Sequence, residues 1–373
     1  MARKIFVAGT GQHCGKTTTS LSLMHLARKK YQSVGFIKPV GPKPATLRGQ
    51  IVDKDAILMA QVFGLHKDLR HMTPVPVFPD TTRRVIDGDI SISELEGRIF
   101  HAISELEKRC DFIVIEGAGH PGVGSVLKLS NARIASMLGA PVLLVTGGGV
   151  GTVIDAVSMD LALFQKEGAE VRALLANKLA PEKREKTLDY LRRGLAGEPF
   201  AVIGGFDYQS VLADPTLRRI SRLLGLPLRG NHRDMGRIIH NLQIGAASTQ
   251  RVTELLVDSS LIIVTSSRDE LLVTLANLYH MKDFRTRIAG LIIPGVTPVS
   301  TITQRIVDHS RIPYMRTETL PTTELYRIIT EDVSKTTFED KEKLDLVRSL
   351  AERSLDFDAL DALFAPSKAN MKG

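Results

Sequence analysis

The sequence predicts an α/β fold, a doubly wound, mainly parallel sheet followed by a second, smaller α/β unit. Three observations predict it. Short apolar runs that read as buried strands alternate with segments of helical period from Lys4 to Gly205. The first of these runs leads directly into a glycine loop and then a helix. Beyond Leu226 the alternation resumes for a shorter stretch without a second such loop.

The first strand is Ile5 to Ala8. Gly9-Thr-Gly-Gln-His-Cys-Gly15 follows, and Lys16-Thr17 opens a helix whose apolar residues Leu21, Leu23, Leu26 and Ala27 recur at helical spacing. Strand, glycine loop, Lys-Thr and helix is the layout of a phosphate-binding loop. Glycines let successive backbone N–H groups curl around an anion, and the helix N-terminus adds the positive end of its dipole. Gly11, Gly15, Lys16, Thr17 and Thr18 are the candidate phosphate-contacting residues. Lys16 is placed to neutralise the β- and γ-phosphates, and the Thr17 hydroxyl to ligate Mg²⁺. The usual spacing, G-x-x-x-x-G-K-[ST], has its first glycine at position 10, where this chain has Thr10; Gly9 stands one residue earlier and the loop is longer.

The second strand, Ser33 to Val40, ends at Lys38-Pro39, which puts Lys38 on the rim where open α/β sheets bind ligands. Residues 41–54 are rich in glycine, proline and charge and are expected to be a mobile loop. Asp53 or Asp55 starts the next helix; by position alone either is a cap. Thr73 to Thr82, with three prolines, is expected to be an extended crossing segment, and Ser91 to Arg109 an amphipathic helix. Phe112-Ile-Val-Ile-Glu116 is a buried strand tipped by a carboxylate on the phosphate-loop rim, the Walker B position, with Gly117-Ala-Gly119 leaving room beside it. Strands at Ala140–Thr146, Val171–Asn177 and Phe200–Gly205 complete the half. Asn177-Lys178 marks a nucleotide-base contact. The guanine-reading aspartate expected two residues after such a lysine is replaced by Ala180, so adenine is favoured.

Gly9-Thr10, Cys14-Gly-Lys-Thr17, Gly35-Phe-Ile-Lys-Pro-Val40, Asp55-Ala56, Ile115-Glu-Gly-Ala-Gly119 and Ala176-Asn177, in that order, resemble dethiobiotin synthetase over residues 1–225. That family carboxylates a diamine with ATP, and the cobyrinate diamide synthases share its branch. The resemblance implies ATP and Mg²⁺ as cofactors. It implies Lys16 and Lys38 against phosphates and a carbamate, and so as catalytic residues together with Glu116. It gives the metal to Thr17, Asp55 and Glu116, and the adenine to Asn177. The chain departs from the family on the diamine side, at Gln12-His13, at Gly41-Pro42 and at His120.

Leu226 is expected to open the second unit, residues 226–335, with strands at Ser260–Thr265, Ile288–Pro294 and Ile312–Arg316 and helices at Arg268–Tyr279, Pro298–His309 and Thr322–Thr330. Gly236–Ile244 is helical or extended. Leu261-Ile-Ile-Val-Thr265 followed by Arg268, then Gly290-Leu-Ile-Ile-Pro-Gly295 and Ile312-Pro-Tyr314, resemble the DRTGG domain, found behind a dethiobiotin synthetase-like module in the regulatory region of some phosphotransacetylases. Such domains sense ligands or dimerise. Residues 336–373 are expected to be a helical tail, Phe338–Leu350 and Phe357–Phe364, with 365–373 disordered and no phosphotransacetylase catalytic domain in the chain.

Two readings of function follow. One is a nucleotide-dependent regulator; the other is an ATP-dependent ligase of the dethiobiotin synthetase or cobyrinate type, for which Lys38 receives a small anionic ligand. Net charge is +8, but no Lys/Arg tract is interleaved with aromatics, which argues against nucleic acid. No run is long enough to span a bilayer, no signal peptide is expected, and two cysteines make no disulfide framework, as in a reducing cytoplasm. Gly147–Gly151 and the second half point to a homodimer.

Overall fold

The computed structural model describes residues 2–332 and 335–365. The chain divides into two compact units, one built from residues up to Tyr208 together with those from Leu344 onward, the other from Gln209–Lys343.

The first unit is built on a six-stranded parallel sheet of β1 (Arg3–Gly9), β2 (Val34–Ile37), β3 (Phe112–Glu116), β4 (Val142–Gly147), β5 (Val171–Asn177) and β6 (Ala201–Gly204), in the order β6-β5-β4-β1-β3-β2. The inner strands are buried on both faces, which is why they read as continuous apolar runs and not as alternating ones. Successive residues nevertheless serve opposite faces. Phe6 and Ala8 of β1 share a core with Ile113, Ile115, Leu144 and Leu174 and with Leu95, Ile99, Val157 and Phe164 from covering helices. Helix α1 (Lys16–Lys30) packs on β1, β2 and β3. The strand tips Gly9, Glu116, Gly147 and Asn177 share one edge of the sheet, with the phosphate loop.

Residues 44–53 form a two-stranded ribbon, which corrects the expected irregular loop. Pro44–Leu47 and Gln50–Asp53 pair antiparallel around Arg48 and Gly49. Those two residues have φ of 50° and 77°, as a tight hairpin turn needs. The ribbon leads into helix α2 (Lys54–Phe63). The segment Thr73–Thr82 is partly regular, since Val75–Pro76 pairs with Val40–Gly41 and Thr81 begins a short helix.

The second unit is a four-stranded parallel sheet, β7 (Asn241–Ile244), β8 (Ser260–Ile263), β9 (Ile288–Pro294) and β10 (Tyr314–Thr317), paired in that sequence. Gly236–Ile244 thus resolves to a strand over its last four residues. Both faces are covered. Ile262, Val264, Leu291 and Ile293 pack with Leu271, Leu275 and Val307 on one side; Leu261, Ile263 and Ile292 pack with Leu217, Ile220, Leu325 and Ile329 on the other.

The unit boundaries differ from residues 225/226 and 335/336. Helix Leu217–Leu224 belongs to the second unit because Leu217 and Ile220 are wholly buried in its core. The second boundary falls inside helix Lys341–Ser354. From Leu344 onward the tail returns to the first unit. Its last helix, Phe357–Leu363, sets Phe357 against Phe112 with ring centres 5.8 Å apart. Asp361 accepts hydrogen bonds from Arg3 at 2.6 Å and from Tyr31 at 2.9 Å. Residues 366–373 lie outside the described residues. Among the described residues no helix is long and apolar enough to cross a membrane.

Candidate functional site

The loop between β1 and α1 is shaped by two glycines. Gly15 caps α1 with φ of 105°, in the left-handed region, and a Cβ there would fall 2.1 Å from the Asn177 side-chain nitrogen. A Cβ on Gly9 would fall 2.4 Å from Cys14 Sγ and 2.9 Å from Lys16 Nζ. Neither position accepts a larger residue without rearrangement. Lys16 is buried, and its ammonium donates to the Gly11 carbonyl at 2.8 Å. Thr18 lies half-buried in the first turn of α1. The Thr10 and Thr146 hydroxyls pair at 3.1 Å and join the loop to β4.

Asn177 holds the loop from the other side. Its Nδ2 donates to the Cys14 carbonyl at 3.0 Å, and its Oδ1 accepts the Phe206 N–H at 3.1 Å. A loop-clamping role for this side chain has no local sequence signal, because its partner lies 163 residues away.

Thr17 joins the loop to a buried charge cluster. Its hydroxyl donates to Glu116 Oε1 at 3.1 Å. Lys38, 4% exposed, places its ammonium against Asp55, 3.3 Å from Asp53 Oδ1 and 3.5 Å from Glu116 Oε1. Burial opposes a charged lysine. The three carboxylates, Glu116 first, then Asp55 and Asp53, outweigh burial and hold Lys38 protonated, above its ordinary range. Burial pushes the Glu116 carboxyl up; Lys38 opposes that shift and Asp55 adds to it. Glu116 is 1% exposed, and its Oε2 has no hydrogen-bond partner among the described residues.

Asp53 and Asp55 divide the work at the start of α2. Asp53 is the cap: its Oδ1 accepts the Asp55 N–H at 2.9 Å, and its Oδ2 accepts the Lys43 N–H at 2.9 Å. It also contributes the third carboxylate near Lys38, which a reading as cap alone misses. Across the site Asn131, buried, clamps the Gly117–His120 turn. It accepts the Ala118 N–H at 3.0 Å and donates to the Ala118 and His120 carbonyls at 2.6 and 2.7 Å. Asn131 opens a short helix and escapes a reading by motif.

The structure therefore brings Gly11, Gly15, Lys16, Thr17 and Asn177 together around the loop, and Thr17, Lys38, Asp55 and Glu116 together in the cluster. Beside the loop lies a cavity of about 350 Å³ walled by Thr10–Cys14, Thr146, Thr152 and Lys178, with no acidic side chain in its wall.

The oxygen donors of Thr17, Asp55 and Glu116 suit Mg²⁺, and the unpartnered Oε2 of Glu116 is a ligand atom of the right kind. Among the described residues no three His, Cys, Asp or Glu side chains form a metal cage. Mg²⁺ commonly arrives with phosphates and uses one or two carboxylates, so no such cage is required.

A phosphate loop at the tip of the central strand, with an acidic residue ending the neighbouring one, defines the class of P-loop nucleotide-binding α/β proteins. Residues 3–216 match the family model described as AAA domain, and the chain belongs to that family. Phosphate acetyltransferase of Nitratidesulfovibrio vulgaris is 22% identical over 99% of this chain and 53% of its own length. ATP-dependent dethiobiotin synthetase BioD of Aromatoleum aromaticum is 25% identical over 54% of this chain and 90% of its own. Cobyric acid synthase of Pelotomaculum thermopropionicum is 29% identical over 58% and 45%. The chain thus spans about half the length of the acetyltransferase, 53%. The first unit is a P-loop ATP-binding domain related to all three.

Proposed function

We propose that the protein is a Mg²⁺·ATP-dependent regulator, with the second unit acting as a DRTGG-like regulatory module in a cytoplasmic homodimer. Gly11, Gly15, Lys16, Thr17 and Thr18 hold the phosphates, Asn177 borders the adenine, and Thr17, Asp55 and Glu116 take the metal. Mg²⁺, when bound, supplies charge neutralisation on the phosphates.

The observation that carries this reading is the position of Lys38. A ligase acting on a carbamate or carboxylate presents its lysine to that anion; here the ammonium is engaged by three carboxylates of its own chain. The substrate side has changed as well. Pro42 has neither side-chain donor nor N–H, and the His120 ring accepts a hydrogen bond from Gly122 of its own turn at 3.2 Å. The relatives agree in extent, since the acetyltransferase aligns along 99% of the chain and the synthetase along 54%.

The second reading, an ATP-dependent ligase, is favoured by Lys16, Thr17, Lys38, Asp55 and Glu116 all meeting on one rim. Phosphate release from ATP, with and without diaminopelargonate plus bicarbonate, separates the two. The regulator shows nucleotide binding and no stimulation by the diamine. Robust turnover to dethiobiotin overturns the regulator.

A further inference from the structure

We propose that Lys38 is an internal cation that keeps a divalent-metal site closed, and that the metal–nucleotide complex enters by exchanging with it. The proposal rests on reading this rim as a Mg²⁺·ATP site, and it assigns Lys38 and Asp53 parts in regulating that site.

Asp53, Asp55 and Glu116 are each at least 95% buried, and one ammonium stands among them. Fully ionised, three carboxylates and one ammonium leave two negative charges, the complement of a dication. Buried charge of one sign is costly unless paired. The single ammonium reduces that cost without removing it.

Glu116 turns Oε1 to both Thr17 and Lys38, and its buried Oε2 has no hydrogen-bond partner among the described residues, while the Ser20 hydroxyl near the carboxyl favours its ionised form. A cation that used Oε2 and the Thr17 hydroxyl would sit beside the present position of Lys38 Nζ. Two cations that share carboxylates at such short range repel strongly in a buried site, so the entering metal favours departure of the ammonium. The displaced lysine remains on the rim that carries the phosphate loop, where its partners are the phosphates of the entering nucleotide and not a separate substrate anion.

Asp53 ends the Pro44–Asp53 ribbon, caps α2 and holds the Lys43 N–H, all while facing Lys38. Exchange of the ammonium for a metal removes one of its contacts. Asp53 is thereby a positioning residue through which cation exchange reaches the ribbon and α2.

The test is Mn²⁺ binding to the full chain, followed by electron paramagnetic resonance, without nucleotide and then with ATP. The wild type is expected to bind Mn²⁺ weakly alone and tightly with ATP. Lys38→Gln is expected to tighten nucleotide-free binding by about 10- to 100-fold. Because Lys38→Gln leaves three buried carboxylates unneutralised, a charge-matched double variant, Lys38→Gln with Asp53→Asn, accompanies it. Asparagine keeps the cap, and the net charge of the cluster equals that of the wild type. Nucleotide-free Mn²⁺ binding gained by either variant supports the proposal, as does folding of either variant rescued by Mn²⁺. Three results overturn it: wild-type binding as tight as the variants', no gain in either folded variant, or failure of both to fold even with excess Mn²⁺. Absence of ATP binding by the wild type would instead count against the proposed function, and the nucleotide-free arms would still decide the cation exchange.

Discussion

Replacing Asn177 by alanine tests how the phosphate loop is held. The side chain is 3% exposed and makes two hydrogen bonds, one to the Cys14 carbonyl inside the loop and one from the Phe206 N–H. Truncation leaves two buried partners, and each costs about 1–3 kcal/mol when unsatisfied. A total loss of about 2–4 kcal/mol is expected for the first unit, given that water can reach part of the loop. If about 1.4 kcal/mol of that falls on the binding-competent shape of the loop, ATP affinity drops about tenfold. Asn177→Asp is the sharper companion. It keeps an acceptor for Phe206 but sets a carboxylate oxygen against the Cys14 carbonyl, so it should lose ATP affinity at least as much. Urea unfolding gives the stability change, read from the transition of the first unit because a chain of two units need not unfold in one step. Calorimetry gives the affinity. Stability within about 0.5 kcal/mol of wild type, with affinity within about twofold, would refute the clamp.

Asp160 is half-buried, its Oδ2 has no hydrogen-bond partner among the described residues, and burial raises its carboxyl to about 7. The folded state therefore holds this proton more tightly than the unfolded chain does, and stability is lost as pH rises from about 4 through 7. Asp160→Asn should accordingly be more stable than wild type at pH 8, by a clearly larger margin than at pH 5; equal urea midpoints at both pH values would contradict this. Burial alone would raise Asp361, but hydrogen bonds from Lys30, Arg3 and Tyr31 outweigh it and hold the carboxylate below its ordinary value. Asp361→Ala should cost about 2–3 kcal/mol at pH 7 by loosening the terminal helix, and the difference from wild type should shrink as pH falls below the ordinary carboxylate range; a stability unchanged at pH 7 would mean the Asp361 bonds do not hold the tail. ATP should bind more tightly than GTP because Ala180 stands where an aspartate would accept guanine N–H groups, and calorimetry with equal or tighter GTP binding would contradict that.

What could be read from the chain follows from how local each signal is. The phosphate loop, Lys38 and Glu116 were legible because each sits at the end of an unbroken apolar strand, and a strand end in a parallel sheet fixes a side of the molecule. Asp55 needed the family resemblance, since position alone makes it a cap; in the structure its neighbour Asp53 is the cap. The ribbon from Pro44 to Asp53 was hidden because Arg48, not glycine or asparagine, takes the first left-handed position of its turn. Asn131, the clamp by Asn177 and the return of the tail to Arg3 and Tyr31 were hidden for another reason. Their partners lie from 11 to 358 residues away, and no periodicity marks such contacts. The boundary near Tyr208 was displaced because the helix from Leu217 has a strong apolar stripe whose owner is decided by packing.

Mg²⁺·ATP held by the phosphate loop should stabilise the full chain against thermal unfolding. Thermal unfolding of wild type and Lys16→Ala would be followed with Mg²⁺·ATP, with ATP plus a chelator, and with neither. At about a hundred times the dissociation constant, ATP should stabilise the wild type by about 2.7 kcal/mol, less when the metal is chelated, and should leave Lys16→Ala unshifted. A full ATP-induced shift retained in Lys16→Ala would contradict the claim, because the nucleotide would then be bound elsewhere.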